Sequence, residues 1–285
     1  MFLDIKNELE SFKNSLKDKS ENTIYNYGLD IKQFLLWLDN REIKKEIIEE
    51  YNDEVLSQYE IKTVNRKYNS INAYLQYKGI DYHIKSKKIQ TQTMIDDMLT
   101  NSDLSRILRQ VNKAQDKRAE AIIMTLFYTG ARVSEMLQIK LKDISKDEVM
   151  IQGKGSKYRK IFIPKRLNKI LKDYANTQRV NTSEYLFNGE RGAITRNTVL
   201  TILKKYAGLS RMKKDKVSPH AIRHLYTKNL VDAGVSYSAI KQLLGHTLTT
   251  TDIYMQLSKK ELLKIINNIK LEDTEVKTKK SRKKI

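Results

Sequence analysis

Apolar positions recur at helical spacing along most of the chain. Over residues 22–38, Ile24, Tyr27, Ile31, Phe34, Leu35 and Leu38 share one face, and Ser20 stands where an N-cap belongs. Over residues 62–78 the apolar stripe is Val64, Tyr68, Ile71 and Leu75, with Lys62, Asn65, Arg66 and Lys67 on or near the other side. Between these two segments, residues 39–60 carry eight acids against three bases. Periodicity is lost from about Asp81 to Thr100, where Lys85, Lys87, Lys88 and the Thr/Gln run at 90–93 read as a linker. Asn101-Ser102-Asp103 then offers an N-cap for the first helix of a second domain. Residues 118–128 are apolar and end at Thr129-Gly130, and a short helix follows over about Arg132 to Leu137.

The period changes once. Val149 to Gln152 and Arg159 to Ile163 alternate around a Gly-rich turn, which predicts a β-hairpin. Helices resume at about 166–178, 195–206, 219–232 and 236–244, and Gly234 after Asp232-Ala233 is placed to stop a helix with φ > 0. A last amphipathic helix, about 259–270, holds Leu262, Leu263, Ile265, Ile266 and Ile269. The fold class is mainly α with a small β-sheet (α+β), in two domains and without an internal repeat.

Composition narrows the function. The 285 residues include no Cys, which excludes disulfides, thiolate zinc sites and cysteine catalysis and fits a reducing cytoplasm. With four His in all, a dedicated transition-metal site is not expected. No run approaches the roughly 20 apolar residues of a membrane span. The start, Met1 to Glu8, reads as an amphipathic helix with acids and not as a secretory signal.

Charge adds more. The net of +20 is unevenly placed: residues 1–90 hold 15 bases and 15 acids, residues 91–271 hold 33 bases and 16 acids, and residues 272–285 hold six and three. The positive field belongs to the second domain, so a polyanion, nucleic acid first, is the natural partner. The final stretch, rich in Lys, reads as a disordered tail.

Three of the four histidines lie within 29 positions of that basic region. The segments are Ser218-Pro219-His220-Ala221-Ile222-Arg223-His224 and Leu244-Gly245-His246, followed by Ile253-Tyr254. Arginine grips phosphate oxygens, histidine moves protons near neutral pH, and tyrosine can attack phosphorus. A free phenol has a pKa of about 10, so attack needs a base and nearby positive charge, both of which this cluster supplies. His220 and Arg223, three apart, share a helix face, whereas His224 is expected to point elsewhere, in a structural role or supporting the site residues from behind. Arg132 is placed in the first turn of its helix, where backbone N–H groups favour an anion, or is held by Glu135 one turn on. Lys154 sits between two glycines at the hairpin tip.

These stretches resemble the tyrosine recombinase (phage integrase) superfamily, in the style of Xer-like recombinases and integrases of mobile elements. The resemblance is carried by Thr129-Gly130-Ala131-Arg132-Val133-Ser134-Glu135, Gly153-Lys154-Gly155-Ser156-Lys157-Tyr158-Arg159, Ser218 to His224, Leu243-Leu244-Gly245-His246 and Ile253-Tyr254, in the family's order. Ala131 departs from the usual bulkier residue, and the interval from His246 to Tyr254 is eight where nine is common.

The resemblance implies a catalytic set of Arg132, Lys154, His220, Arg223, His246 and the nucleophile Tyr254, with Glu135 orienting its neighbours. It implies DNA contacts from Lys62, Arg66, Lys67, Lys157 and Arg159. It also implies a helical core-binding (SAM-like) domain over 1–84, a linker over 85–100, a catalytic domain over 101–271 and a tail over 272–285. The implied activity is site-specific cleavage and rejoining of DNA through a 3′-phosphotyrosyl intermediate, serving integration, excision, inversion or dimer resolution. The implied partner is double-stranded DNA with an inverted-repeat core, bound by a homo- or hetero-tetramer, with no metal and no cofactor. A type IB topoisomerase and a non-catalytic DNA-binding protein of the same fold remain alternatives. The final helix either packs on its own chain or docks onto a neighbour.

Overall fold

A computed structural model describes residues 2–88, 98–153, 158–245 and 259–268. The chain divides into two compact units, Met1–Met94 and Ile95–Ile285. Among the described residues no helix is long and apolar enough to cross a membrane.

The first unit is four helices: α1 (Phe2–Ser15), α2 (Glu21–Leu38), α3 (Lys45–Gln58) and α4 (Ile61–Tyr77). Ser20 caps α2 by accepting a hydrogen bond from the Thr23 N–H, as its position predicts. Phe12, Ile31, Phe34, Val64, Tyr68, Ile71, Tyr74 and Leu75 form the core, with Phe12 edge-on to Tyr74 at 5.3 Å. Helix α3 has no counterpart in the sequence reading. Its buried residues are Ile48, Tyr51 and Val55, with Ile47 and Leu56 partly buried beside them, and five acids lie along the rest of it. Tyr51 nevertheless packs on Phe34 at 4.9 Å. After α4 the chain stays attached, because Asn65 bonds both backbone groups of Lys87 and Asn72 bonds both of Ile84. Residues 89–97 and the tail lie outside the described residues.

The second unit is built on α6 (Lys117–Thr129), whose run from Ala121 to Thr129 is buried on every side. Around it stand α5 (Asn101–Lys113), α8 (Lys165–Thr177), α9 (Arg196–Leu209) and α10 (Pro219–Asp232). The cap of α5 is Thr100, with Asp103 at the third position completing a reciprocal capping box. This displaces the cap expected at 101–103 by one residue. Strands β1 (Glu148–Gln152) and β2 (Tyr158–Phe162) pair antiparallel, placing Ile151 opposite Arg159. Val149, Ile151 and Ile161 turn inward to the core. A second pair, β3 (Asn188–Gly189) and β4 (Gly192–Ala193), is minimal. The short α7 (Val133–Met136), α11 (Tyr237–Leu244) and α12 (Lys259–Asn268) complete the unit. Leu262 and Ile266 of α12 are buried in this unit's core.

One backbone approach fixes the geometry beside α10. Gly130 ends α6 at φ 56°, and a Cβ there would lie 2.3 Å from the Tyr226 ring. Gly130→Ala should therefore destabilise the protein by about 3 kcal/mol, combining left-handed strain with overpacking. A thermal melt of the variant checks this, and a midpoint equal to wild type would show that the ring gives way freely.

Candidate active site

The turn from α6 into α7 places Arg132 at the N-cap of a helix only four residues long. Its backbone N–H donates to Glu135 Oε2 at 2.7 Å, and its guanidinium Nη1 donates to Glu135 Oε1 at 2.9 Å. The pairing leaves 44% of the Arg132 side chain exposed. Glu135 itself is buried and takes a third contact, from Arg159 Nη2 at 2.7 Å. Burial alone would raise this carboxyl, but the hydrogen bonds and charges of Arg159 and Arg132 hold it below the ordinary carboxylate value.

Arg223 comes in from α10, buried to 8% exposure. Its two terminal nitrogens donate to backbone carbonyls of other elements, Gly130 O at the end of α6 and Leu244 O at the end of α11. Burial, then the like charges of Arg132 and Arg159, push its pKa down to about 10. It stays cationic at neutral pH, in a place short of negative charge. Three guanidinium groups thus converge around one carboxylate. Such a site favours an oxyanion, and favours it more as its negative charge grows.

His220 lies in the first turn of α10, after the cap Ser218 and Pro219 at the first helical position. It is exposed, and its Nε2 is 2.8 Å from Nε2 of His224. The expectation that His224 points elsewhere is corrected: four residues apart on a helix places both rings on one face. One ring must donate and the other accept, so the bond requires at least one neutral imidazole. Among the described residues no group of three His, Cys, Asp or Glu could hold a metal.

Lys154, Lys157, His246 and Tyr254 lie outside the described residues. Arg132, Arg223 and Arg159 are brought together, and His220 stands one turn before Arg223 on α10.

Two of the residues implied as DNA contacts are largely buried in this structure. Arg159 is 10% exposed, its terminal nitrogens committed to Glu135 and to Leu243 O at 2.9 Å. Lys67 is buried against Asp30 and Gln33, because it follows the inward Val64 and precedes Tyr68 on the packed face of α4. Burial lowers its pKa, and Asp30 offsets part of that. Asp30 also takes Arg66 and, at 2.7 Å, the Ser70 hydroxyl. Lys62 and Arg66 remain on the surface. Sequence reasoning missed the close approach of Gly245 to Arg159, for which no local signal exists.

With this geometry in place, comparison with known proteins is informative. The profile of the phage integrase family matches residues 97–261. A tyrosine recombinase of Thermosipho africanus is 30% identical over 261 residues, covering 85% of this chain and 91% of its own. The solved structure of XerH site-specific recombinase bound to palindromic difH substrate, a post-cleavage complex, aligns over 90% of this chain and 82% of its own. Its TM-score is 0.68 at 20% identity. The lambda integrase tetramer bound to a Holliday junction aligns over 88% and 77%, with a TM-score of 0.67 at 15% identity. At these identities the structural likeness is one of fold.

Proposed function

This chain belongs to the phage integrase family, as a tyrosine recombinase, and on that premise we propose how its own residues break and rejoin DNA. Arg132 and Arg223 hold the two non-bridging oxygens of the scissile phosphate. His220 takes the proton of the Tyr254 hydroxyl as its oxygen attacks phosphorus. The bond from phosphorus to the 5′ oxygen breaks, and Lys154 supplies the proton that leaves a free 5′ hydroxyl. His246 donates a hydrogen bond to a phosphate oxygen. The product is a 3′-phosphotyrosyl link, and a second strand's 5′ hydroxyl reverses the step. One phosphoester replaces another each time, so no high-energy cofactor is consumed.

The observation that carries this reading is the gathering of three arginines near a single buried carboxylate that bonds two of them, Arg132 and Arg159, with the third, Arg223, held by backbone carbonyls beside them. A pentacoordinate phosphorane adds negative charge where that imbalance lies. Four protomers act together on paired inverted-repeat cores, as a homo- or hetero-tetramer; the lambda integrase tetramer bound to a Holliday junction, which shares this fold, supports the fourfold assembly. The first unit contacts the duplex through exposed Lys62 and Arg66.

A nicked suicide duplex, carrying a core site selected from randomised DNA by its binding to this protein, tests the reading. Release of the short fragment beyond the nick prevents religation, so wild-type protein should accumulate as a covalent adduct in denaturing gels. Binding without any adduct would favour the accessory-protein alternative. Relaxation of supercoiled plasmid lacking the site at the same rate as plasmid carrying it would favour a topoisomerase.

A further inference from the structure

Arg159 extends from β2, five residues beyond Lys154, yet it serves neither the strand nor the solvent. One terminal nitrogen donates to Glu135 Oε2 at 2.7 Å, and Glu135 in turn holds both the backbone and the guanidinium of Arg132. The other donates to Leu243 O at 2.9 Å, in the last turn of α11. That helix ends on Gly245 at φ 64°, and a Cβ at Gly245 would lie 2.2 Å from Cδ of Arg159. The backbone therefore passes directly over the arginine stem one residue before His246. A single side chain touches the α7 turn that carries Arg132 and the helix end that leads to His246. It does so from the hairpin that encloses Lys154 in sequence.

We propose that Arg159 is a positioning residue for strand cleavage. It locks three separate elements into one register, so that the groups they carry meet the same phosphate. It does not contact DNA. The planar fork is what the role demands, since it reaches two acceptors on different elements at a fixed separation. A lysine ammonium is a single point and cannot reproduce that span. Glu135 is the second half of the device, because it passes the constraint to Arg132.

The inference rests on the catalytic reading above, so wild-type adduct formation on the suicide duplex is its first control. If wild type forms no adduct, that reading fails before Arg159 is tested. Given the adduct, Arg159→Lys should bind the core site within about threefold of wild type. Its single-turnover cleavage should fall about 100-fold, the scale expected when reacting groups are misplaced by about 1 Å. Glu135→Gln, which keeps shape and loses charge, should show the same split between affinity and rate. The double variant should be no more than about threefold slower than the slower single, because both changes break one unit. Should Arg159→Lys not fold, Glu135→Gln alone decides by its ratio of cleavage to affinity. Wild-type cleavage with weakened binding would return Arg159 to a DNA contact and overturn the proposal. Multiplicative losses in the double variant would overturn it as well.

Discussion

Tyr254→Phe binds its core site like wild type and forms no covalent adduct. Phenylalanine keeps the ring and removes only the oxygen that attacks phosphorus, so affinity and fold should be spared. Cleavage should drop at least about 10⁴-fold, as when a nucleophile is deleted from a group that acts as a unit. Denaturing gels of the suicide reaction read the adduct, and a gel shift of the same duplex reads the affinity. The chain offers sixteen tyrosines, so specificity is the point of the test. An adduct that persists in the variant would hand the role to another side chain.

Arg223→Lys has the next largest effect, and for two separable reasons. The lysine keeps a positive charge but loses the fork that spans Gly130 O and Leu244 O, joining the ends of α6 and α11. It also loses the fixed guanidinium plane, whose N–H groups not given to those carbonyls remain to face a phosphate oxygen as its charge grows in the transition state. Cleavage should fall about 10³-fold, the scale of removing a preorganised oxyanion donor. One backbone carbonyl is left buried and unpaired, lowering stability by about 2 kcal/mol. Core-site affinity should change little, because many phosphates share the binding. Single-turnover cleavage alongside a thermal melt separates the two losses. Cleavage within tenfold of wild type would mean that Arg223 is a structural brace and not a phosphate clamp.

The parts of the fold that were legible in the sequence are those written locally. Helix α10 could be placed at 219–232 because Ser218 caps it, Pro219 suits its first position, and Gly234 follows its end at φ 70°. The β1–β2 hairpin was visible because its alternation differs from the helical period around it. Helix α3 was hidden, since three buried residues among five acids make too narrow a stripe to stand out from a polar loop. Lys67 was misplaced by a related effect: a lysine beside Val64 and Tyr68 turns inward only because Asp30, on another helix, can receive its charge.

The arginine cluster shows where such reasoning runs out. Arg132 and Glu135 are three apart, so their pairing could be weighed from spacing alone. Arg159 meets Leu243 across 84 residues, and Arg223 meets Gly130 across 93. No periodicity encodes those contacts. They arise from packing around α6, which brings the end of α11, the start of α7 and strand β2 to one point. The same packing presses Gly130 on Tyr226 and Gly245 on Arg159, where any side chain would collide. The glycines beside the reactive groups are thus a consequence of crowding that only the folded chain reveals.

The most direct test is to identify the linked atom itself. Wild-type adduct from the suicide duplex, digested with protease and nuclease, should yield one nucleotide-bearing peptide, with the 3′ phosphate on Tyr254 and the 5′ end released as a hydroxyl. A phosphate carried on any other tyrosine, or a link through the 5′ end, would contradict the account.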